Sequence, residues 1–221
     1  MKSFKKDIDF TSMNFLLDVD GVLVRDTKIL ERMKSNISTY VRAKVPRAKN
    51  PDKLRDFLYR KYGHTGQGLV KEFGIPTPDF NIHVYDGQIL NELAEHLMSE
   101  EFQRDSKTIR KLLNDGHTVT LFSNAPMMWT APVAYAIDQR IRHASFSGFK
   151  PQPVAYTGIR TNRRPIIFVD DVRKNLLPVQ KNHLWVPVHY SPTIEDWTIP
   201  TIHTLDDLPC LVDYVRARFD C

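Results

Sequence analysis

The sequence predicts an α/β protein, a parallel sheet with helices on both faces and a small all-helical segment inserted after the first strand. Three observations carry that expectation. Short apolar runs recur, each bounded by polar residues and followed by helical periodicity. Three of those runs end in Asp, Ser or Asn side chains, as strands do where they deliver chemistry to one edge of a sheet. Between the first run and the second, about eighty residues show helical spacing alone.

The first run is Phe15-Leu16-Leu17, which leads into Asp18-Val19-Asp20-Gly21-Val22-Leu23. A helix is then expected from Lys28 to Val45, with apolar residues at Ile29, Leu30, Met33, Ile37, Tyr40 and Val41 and Pro46 as its stop. A second runs from Pro51 to Tyr62, with Asn50 as N-cap and Gly63 closing it. A third covers Gly66 to Phe73 and ends at Gly74, and a fourth covers Ile89 to Met98. The α/β alternation resumes with a helix over Lys107–Asn114, capped by Gly116, and a strand over His117–Phe122. Next come a helix from Trp129 to Arg142, a strand at Ala144-Ser145-Phe146, a strand over Pro165–Val169, a helix from Val172 to Gln180, a strand over Leu184–Val188 and a terminal helix from about Leu205. This divides the chain into a core, residues 1–25 and 104–221, and an inserted helical segment, residues 26–103.

At 221 residues and 42% apolar the chain can bury a large core, which excludes a disordered protein. Its basic N-terminus lacks the apolar stretch of a signal peptide and no run reaches transmembrane length, so a soluble, cytoplasmic protein with no membrane partner is expected. The two cysteines, Cys210 and Cys221, indicate neither a disulfide framework nor a zinc site. The net charge of +5 is unevenly placed. Residues 28–61 carry eleven Lys/Arg against three acids, and residues 62–105 carry two against eight. The two segments either pair with each other or attract an anionic partner.

Asp18 and Asp20 differ from other close aspartates by context. With 19 aspartates in the chain, chance supplies roughly one or two Asp-x-Asp pairs, and Asp7-Ile8-Asp9, with no strand before it, is such a pair. Asp206-Asp207 is likewise set apart from Asp170-Asp171 as first-turn acid of a helix. Parallel strands bring their carboxyl ends to one edge, so Asp18 and Asp20, Ser123 and Asn124, and Asp170 and Asp171 should converge there. Lys150, in the turn Gly148-Phe149-Lys150-Pro151, joins them, with Pro151 opening a helix. Gly21 lets backbone approach a ligand. Clustered carboxylates repel unless a cation lies among them, and hard oxygen donors favour Mg²⁺.

These residues form four ordered motifs: Asp18-Val19-Asp20-Gly21-Val22-Leu23, Leu121-Phe122-Ser123-Asn124, Lys150-Pro151, and Phe168-Val169-Asp170-Asp171 with Asn175-Leu176 after it. In this the chain resembles the haloacid dehalogenase superfamily of phosphotransferases. The resemblance implies a Rossmann-like fold, with the inserted helices as a cap over the site, and a Mg²⁺-dependent phosphohydrolase working through an aspartyl-phosphate. Asp18 would be the nucleophile and Asp20 the acid and base, an acid that the dehalogenase members lack. Gly21, Ser123, Asn124 and Lys150 would hold the phosphoryl group. The metal would be held by Asp18, by Asp20 through its main-chain carbonyl, and by Asp171, with Asp170 close by.

Within that superfamily, Tyr62-Gly63-His64-Thr65-Gly66-Gln67-Gly68-Leu69 and Lys150-Pro151-Gln152-Pro153-Val154-Ala155-Tyr156 are similar to segments of the pyrimidine 5′-nucleotidase group. Val172 stands where that group has serine, and Gly21-Val22 where it has Asn-Thr. The expected substrate is a small phosphorylated molecule, a nucleoside 5′-monophosphate first. The alternatives are another phosphorylated metabolite, a nucleic-acid end approached through the basic segment, and a non-catalytic binding domain of the same fold. Gly63, Gly66 and Gly68 read equally as a tight connection or a substrate-facing loop, His64 as a hydrogen-bonded or surface residue, and Tyr59 and Tyr62 as core before base-stacking groups. Arg163 and Arg164 fall at the far end of the sheet.

Overall fold

Alternation along each strand decides which side chains face which layer. In the computed structural model, which describes residues 8–144, 147–193 and 198–220, strands β1 (Asn14–Leu17), β2 (Thr118–Leu121), β3 (Arg142–His143), β4 (Ile166–Asp170), β5 (Trp185–Tyr190) and β6 (Thr201–Ile202) form one sheet. Their order is β3-β2-β1-β4-β5-β6, and every neighbouring pair is parallel. One face presents Phe15, Leu17, Val119, Leu121, Ile167, Val169, Val186 and Val188 to the larger apolar core. The other presents Leu16, Ile166, Phe168 and Trp185 to a smaller one with Phe122 and Tyr156. Both faces are covered, as a parallel sheet requires. The chain leaves β1 toward β2 and β3, then returns to β4 on the other side of β1, so the strand order reverses at β1 and opens a crevice there.

Between β1 and β2 lie six helices: α1 (Thr27–Lys44), α2 (Pro51–Tyr62), α3 (Thr65–Phe73), α4 (Phe80–Val84), α5 (Gly87–Leu97) and α6 (Glu100–Asn114). Their ends are set by side chains. Asp26 accepts from the Lys28 and Ile29 amides, Asn50 from Lys53, Asp86 from Ile89 and Ser99 from Phe102. Gly63 and Gly74 close α2 and α3 in the left-handed conformation, at φ 75° and 63°. Helices α7 (Met127–Ile137), α8 (Val154–Thr157), α9 (Arg173–Leu176) and α10 (Leu208–Asp220) complete the chain.

The basic and acidic segments do pair: Arg32 with Glu92 at 2.8 Å, Lys44 with Asp79 at 3.2 Å, and Lys61 with Glu72. The isolated acids behave as expected. Asp9 accepts from Thr11 and pairs with Arg164 at the far end of the sheet, and Asp207 closes a capping box with Thr204. Asp7 lies outside the described residues.

Several boundaries differ from the sequence reading. The helix from Trp129 stops at Ile137, because Asp138 turns extended, and Arg142 belongs to β3. A strand is found at Arg142–His143, Ala144 follows it outside any strand, and Ser145 and Phe146, where the expected strand would continue, lie outside the described residues. Helix α6 begins seven residues before Lys107, where Ser99 caps it, and Gly116 (φ 90°) follows its C-cap Asp115. Pro151 opens no helix: its peptide bond with Lys150 is cis, and α8 starts at Val154. The helix expected over Val172–Gln180 is one turn of α-helix followed by a 3-10 turn, Leu177–Val179, and a 3-10 turn over Leu205–Asp207 precedes α10. Helix α4 and the edge strand β6 are too short for periodicity to mark.

Candidate active site

Four strand ends meet at the crevice. Asp18, one residue past β1, is drawn into the sheet by its amide, which donates to the Val169 carbonyl at 3.0 Å. Its Oδ1 accepts from the Val19 amide at 2.7 Å, and its Oδ2 lies 2.9 Å from Nζ of Lys150. Asp170 closes β4 and is fully buried. Its Oδ2 lies 2.6 Å from the same Nζ, its Oδ1 accepts from the Val172 amide, and the Asn175 amide donates to both oxygens. Lys150, 1% exposed, is thus clamped between two carboxylates, with Phe122 and Phe168 rings 5.2 and 5.5 Å from its ammonium. Burial works against its charge, but Asp170 and Asp18 outweigh burial and raise its pKa.

Asp20 is held differently. Its Oδ1 accepts a 2.7 Å hydrogen bond from the indole Nε1–H of Trp129, at the start of α7. Burial, then the charge of Asp18, push its pKa up to about 7 against the opposing pull of that hydrogen bond. Gly21, at φ 82°, leaves room for Asp171, since a Cβ there would overlap the Asp171 carboxylate. Burial and then Asp18 and Asp170 raise Asp171 to about 8, and its Oδ1 is buried with no hydrogen-bond partner among the described residues.

Oxygens of Asp18, Asp170 and Asp171 lie within 4.8 Å of one another. This donor set fits Mg²⁺: hard oxygens, more negative charge than Lys150 can neutralise, and a buried Asp171 oxygen with no hydrogen-bond partner among the described residues. Asp170 already has a full complement of hydrogen bonds, which leaves Asp18 and Asp171 as the freer donors. The Asp20 side chain stands outside the trio, on Trp129.

Ser123 and Asn124 follow β2. Ser123 Oγ accepts from the Ala125 amide at 3.2 Å and keeps its own proton for donation. Asn124 is engaged within the protein: its amide donates to the carbonyls of Gly63 and Lys150, and its oxygen accepts from the Lys150 amide at 2.8 Å. Its side chain therefore fastens the α2–α3 turn to the Lys150 loop while lining the crevice. Gln152 adds to that fastening through Tyr62 and Gln67, and a Cβ at Gly63 would overlap the Lys150 carbonyl.

His64 is the N-cap of α3, accepting from the Gln67 amide, and stacks on Phe149 at 4.2 Å. Burial lowers its pKa to about 4, so it is neutral, hydrogen-bonded and no acid. Tyr62 bonds to Glu72, while Tyr59 is 40% exposed with its ring 4.5 Å from the Lys174 ammonium, and it borders the crevice.

Sequence reasoning missed Trp129, Asn175 as the support of Asp170, and His189, whose Nε2–H donates to the Asp171 carbonyl at 3.1 Å. His189 had a signal, because it is a polar residue near the end of a strand and pairs with Asp170 in register. Trp129 had none beyond its place five residues after Asn124.

No protein-family model and no curated protein matches this sequence. Solved structures do. A haloacid dehalogenase-like family hydrolase from Xanthomonas campestris aligns with TM-score 0.54 at 11% identity, over 95% of this chain and 94% of its own. A 2-haloacid dehalogenase from Pseudomonas syringae pv. Tomato DC3000 aligns with TM-score 0.50 at 15% identity, over 94% and 99%. The L-2-haloacid dehalogenase RSc1362 gives 0.50 at 13%, over 93% and 99%. These alignments span nearly the whole of each chain, and the six-stranded parallel sheet with its helices has the haloacid dehalogenase-like α/β fold.

Proposed function

We propose that this chain is a Mg²⁺-dependent phosphomonoester hydrolase acting through an aspartyl-phosphate, with a nucleoside 5′-monophosphate as the substrate. The observation that supports it most is the division between two carboxylates on one strand end. Asp18 is ion-paired to Lys150 and shaped to attack, while Asp20 is apart from Lys150 and raised to about 7, where it can give and take a proton. Pairs with environments this different mark acid and nucleophile roles, and an acid beside the nucleophile favours phosphate transfer over the dehalogenation named in two of the structural neighbours.

In this reading Asp18 attacks phosphorus in line and the ester oxygen departs with the proton of Asp20. Asp20 then takes a proton from the water that hydrolyses the acyl phosphate. Lys150 and the Ser123 hydroxyl neutralise the phosphoryl oxygens as charge spreads over them. Asp18, Asp171 and the Asp20 carbonyl would hold Mg²⁺, with Asp170 behind them, and the ion would supply charge compensation among the carboxylates and the phosphoryl oxygens. Helices α1–α5, within residues 26–103, serve as the cap over the site. Pairing of the basic segment with acids supports a small substrate over a nucleic-acid end.

Phosphate release from nucleotide and sugar phosphates, with and without Mg²⁺, tests the proposal. Asp18→Asn should abolish turnover while the fold and much substrate binding persist. Near-wild-type turnover in that variant would falsify the covalent route, and an inert wild-type protein would leave the binding-domain alternative.

A further inference from the structure

The carboxylates gather where the strands end. The edge where the strands begin, one strand length or about 15 Å away, carries charge of the other sign. Thr118, Asn14, Ile166 and Trp185 form one row in register across β2, β1, β4 and β5. The loops leading into that row, residues 157–165 before β4 and 180–184 before β5, lie side by side, with the Ile166 amide donating to the Leu184 carbonyl. Residues 8–13, which lead into β1, join them: the Asp9 amide donates to the Arg163 carbonyl, and Nδ2 of Asn14 to the Thr161 carbonyl. These three segments hold Arg160, Arg163, Arg164 and Lys181 against one acid, Asp9, which Arg164 takes up at 3.0 Å. The adjoining edge loops have no spare acid, since Asp115 pairs with Lys111 at 2.6 Å and Asp138 with Arg140 at 2.8 Å. Arg160, Arg163 and Lys181 are exposed and make no ion pair among the described residues.

One of these cations is held against the preference of its own backbone. Thr161–Arg164 is a tight turn, closed by the Arg164 amide on the Thr161 carbonyl at 2.9 Å, with Asn162 and Arg163 both left-handed at φ 47° and 64°. Asparagine tolerates the first position and glycine suits the second, so a long side chain at the second is strained. Strain kept at an exposed cation without an internal partner points to a role outside the fold.

The chemistry on offer suits phosphates. Arginine forks match phosphate oxygens, and the exposed side-chain amides of Asn162 and Asn182, next to the cations, are free to donate. None of the exposed large apolar side chains falls in the three segments. A protein interface is built on an apolar centre and a membrane anchor on an apolar face or a longer basic run. A single strand is held by aromatic platforms for its bases. A duplex backbone needs only cations and donors, and the carboxylate cluster at the other edge turns a polyanion toward this one.

We propose that the edge where the strands begin, with Arg160, Arg163 and Lys181 as its free cations, docks the phosphate backbone of a double-stranded nucleic acid without regard to sequence. This surface is remote from the carboxylate site and does not depend on the phosphatase reading.

Fluorescence anisotropy of the full chain with labelled DNA and RNA duplexes of about 20 base pairs tests it. Three neutralised phosphates give a log–log salt slope of about −2.7, so affinity for duplex DNA should fall about fortyfold between ~50 and ~200 mM KCl. In Arg163→Gly that fall should shrink to about twelvefold, and because glycine suits φ 64° the urea midpoint should not drop. Arg160→Glu with Lys181→Glu should abolish duplex binding at ~100 mM KCl with an unchanged urea midpoint. Binding of one duplex type alone supports the surface and names DNA or RNA as its source. No duplex binding at ~50 mM KCl with protein up to ~100 µM would overturn the proposal. So would tighter binding to single-stranded DNA, phosphatidylserine vesicles or polyglutamate, or wild-type duplex binding in both variants. Phosphate release is read separately, so failure of this surface and failure of the phosphatase reading are distinguishable.

Discussion

The indole N–H of Trp129 meets Oδ1 of Asp20 at 2.7 Å, while the Tyr85 ring, centred 5.2 Å away, packs against the indole. Asp20 is thereby aimed by a side chain 109 residues further along the chain.

Trp129→Phe keeps most of that packing and removes the hydrogen bond. Turnover of alkyl phosphates should fall by about tenfold, and that of nitrophenyl phosphate, whose leaving group needs little protonation, by less than about twofold. Stopped assays on both esters check this. Equal losses would count against Asp20 as the acid that Trp129 positions.

Lys150→Met leaves Asp18 and Asp170 facing each other without a cation in a buried site. The unfolding free energy in urea should drop by about 3–5 kcal/mol at pH 7. Without the ammonium the folded state holds on to carboxyl protons more tightly than the unfolded chain does. The deficit should therefore narrow as pH falls toward 5.

Gly63→Ala and Gly74→Ala place a Cβ on two left-handed helix caps with different surroundings. At Gly74 nothing stands in the way, and the cost should be the backbone term alone, about 1 kcal/mol. At Gly63 the Cβ meets the Lys150 carbonyl, so the loss should be at least about double and accompanied by reduced turnover. Urea midpoints together with initial rates separate the two variants.

His64 has a folded pKa of about 4 against an ordinary 6.5. Above pH 6.5 both states are neutral and its contribution is intact. As pH falls from 6.5 to 4 the unfolded chain binds a proton that the folded chain refuses, so stability is lost through that window. His64→Asn retains an acceptor for the Gln67 amide and cannot titrate. Between pH 6.5 and 4.5 its unfolding free energy should slope less steeply than the wild type's, by up to about 1.4 kcal/mol per pH unit. An unchanged slope would mean that His64 takes up its proton in the folded state as well.

The meeting of Asp18, Lys150 and Asp170 could be read from sequence because strand ends obey a rule: buried apolar runs in a parallel sheet carry the residues at their carboxyl ends to one edge. Helices α1 to α3 were legible for a similar reason, since Asn50-Pro51, Gly63 and Gly74 act locally on the backbone. Reading failed where a third dimension decides. Asn124 follows Ser123 at a strand end, and nothing local to that position shows that two carbonyls from distant segments take up its amide. Trp129 gave no pattern, because one hydrogen bond from a helix to a strand end leaves no periodicity. Strands β3 and β6 have two residues each, too few for alternation to show.

The Asn124 clasp has a mechanical meaning. One amide group touches the Gly63 carbonyl of the helical insertion and both backbone groups of Lys150, so the α2–α3 turn and the loop that carries the cation are riveted together, with Gln152 as a second fastening. Displacing the α2–α3 turn along this edge would pull directly on the loop that carries the lysine.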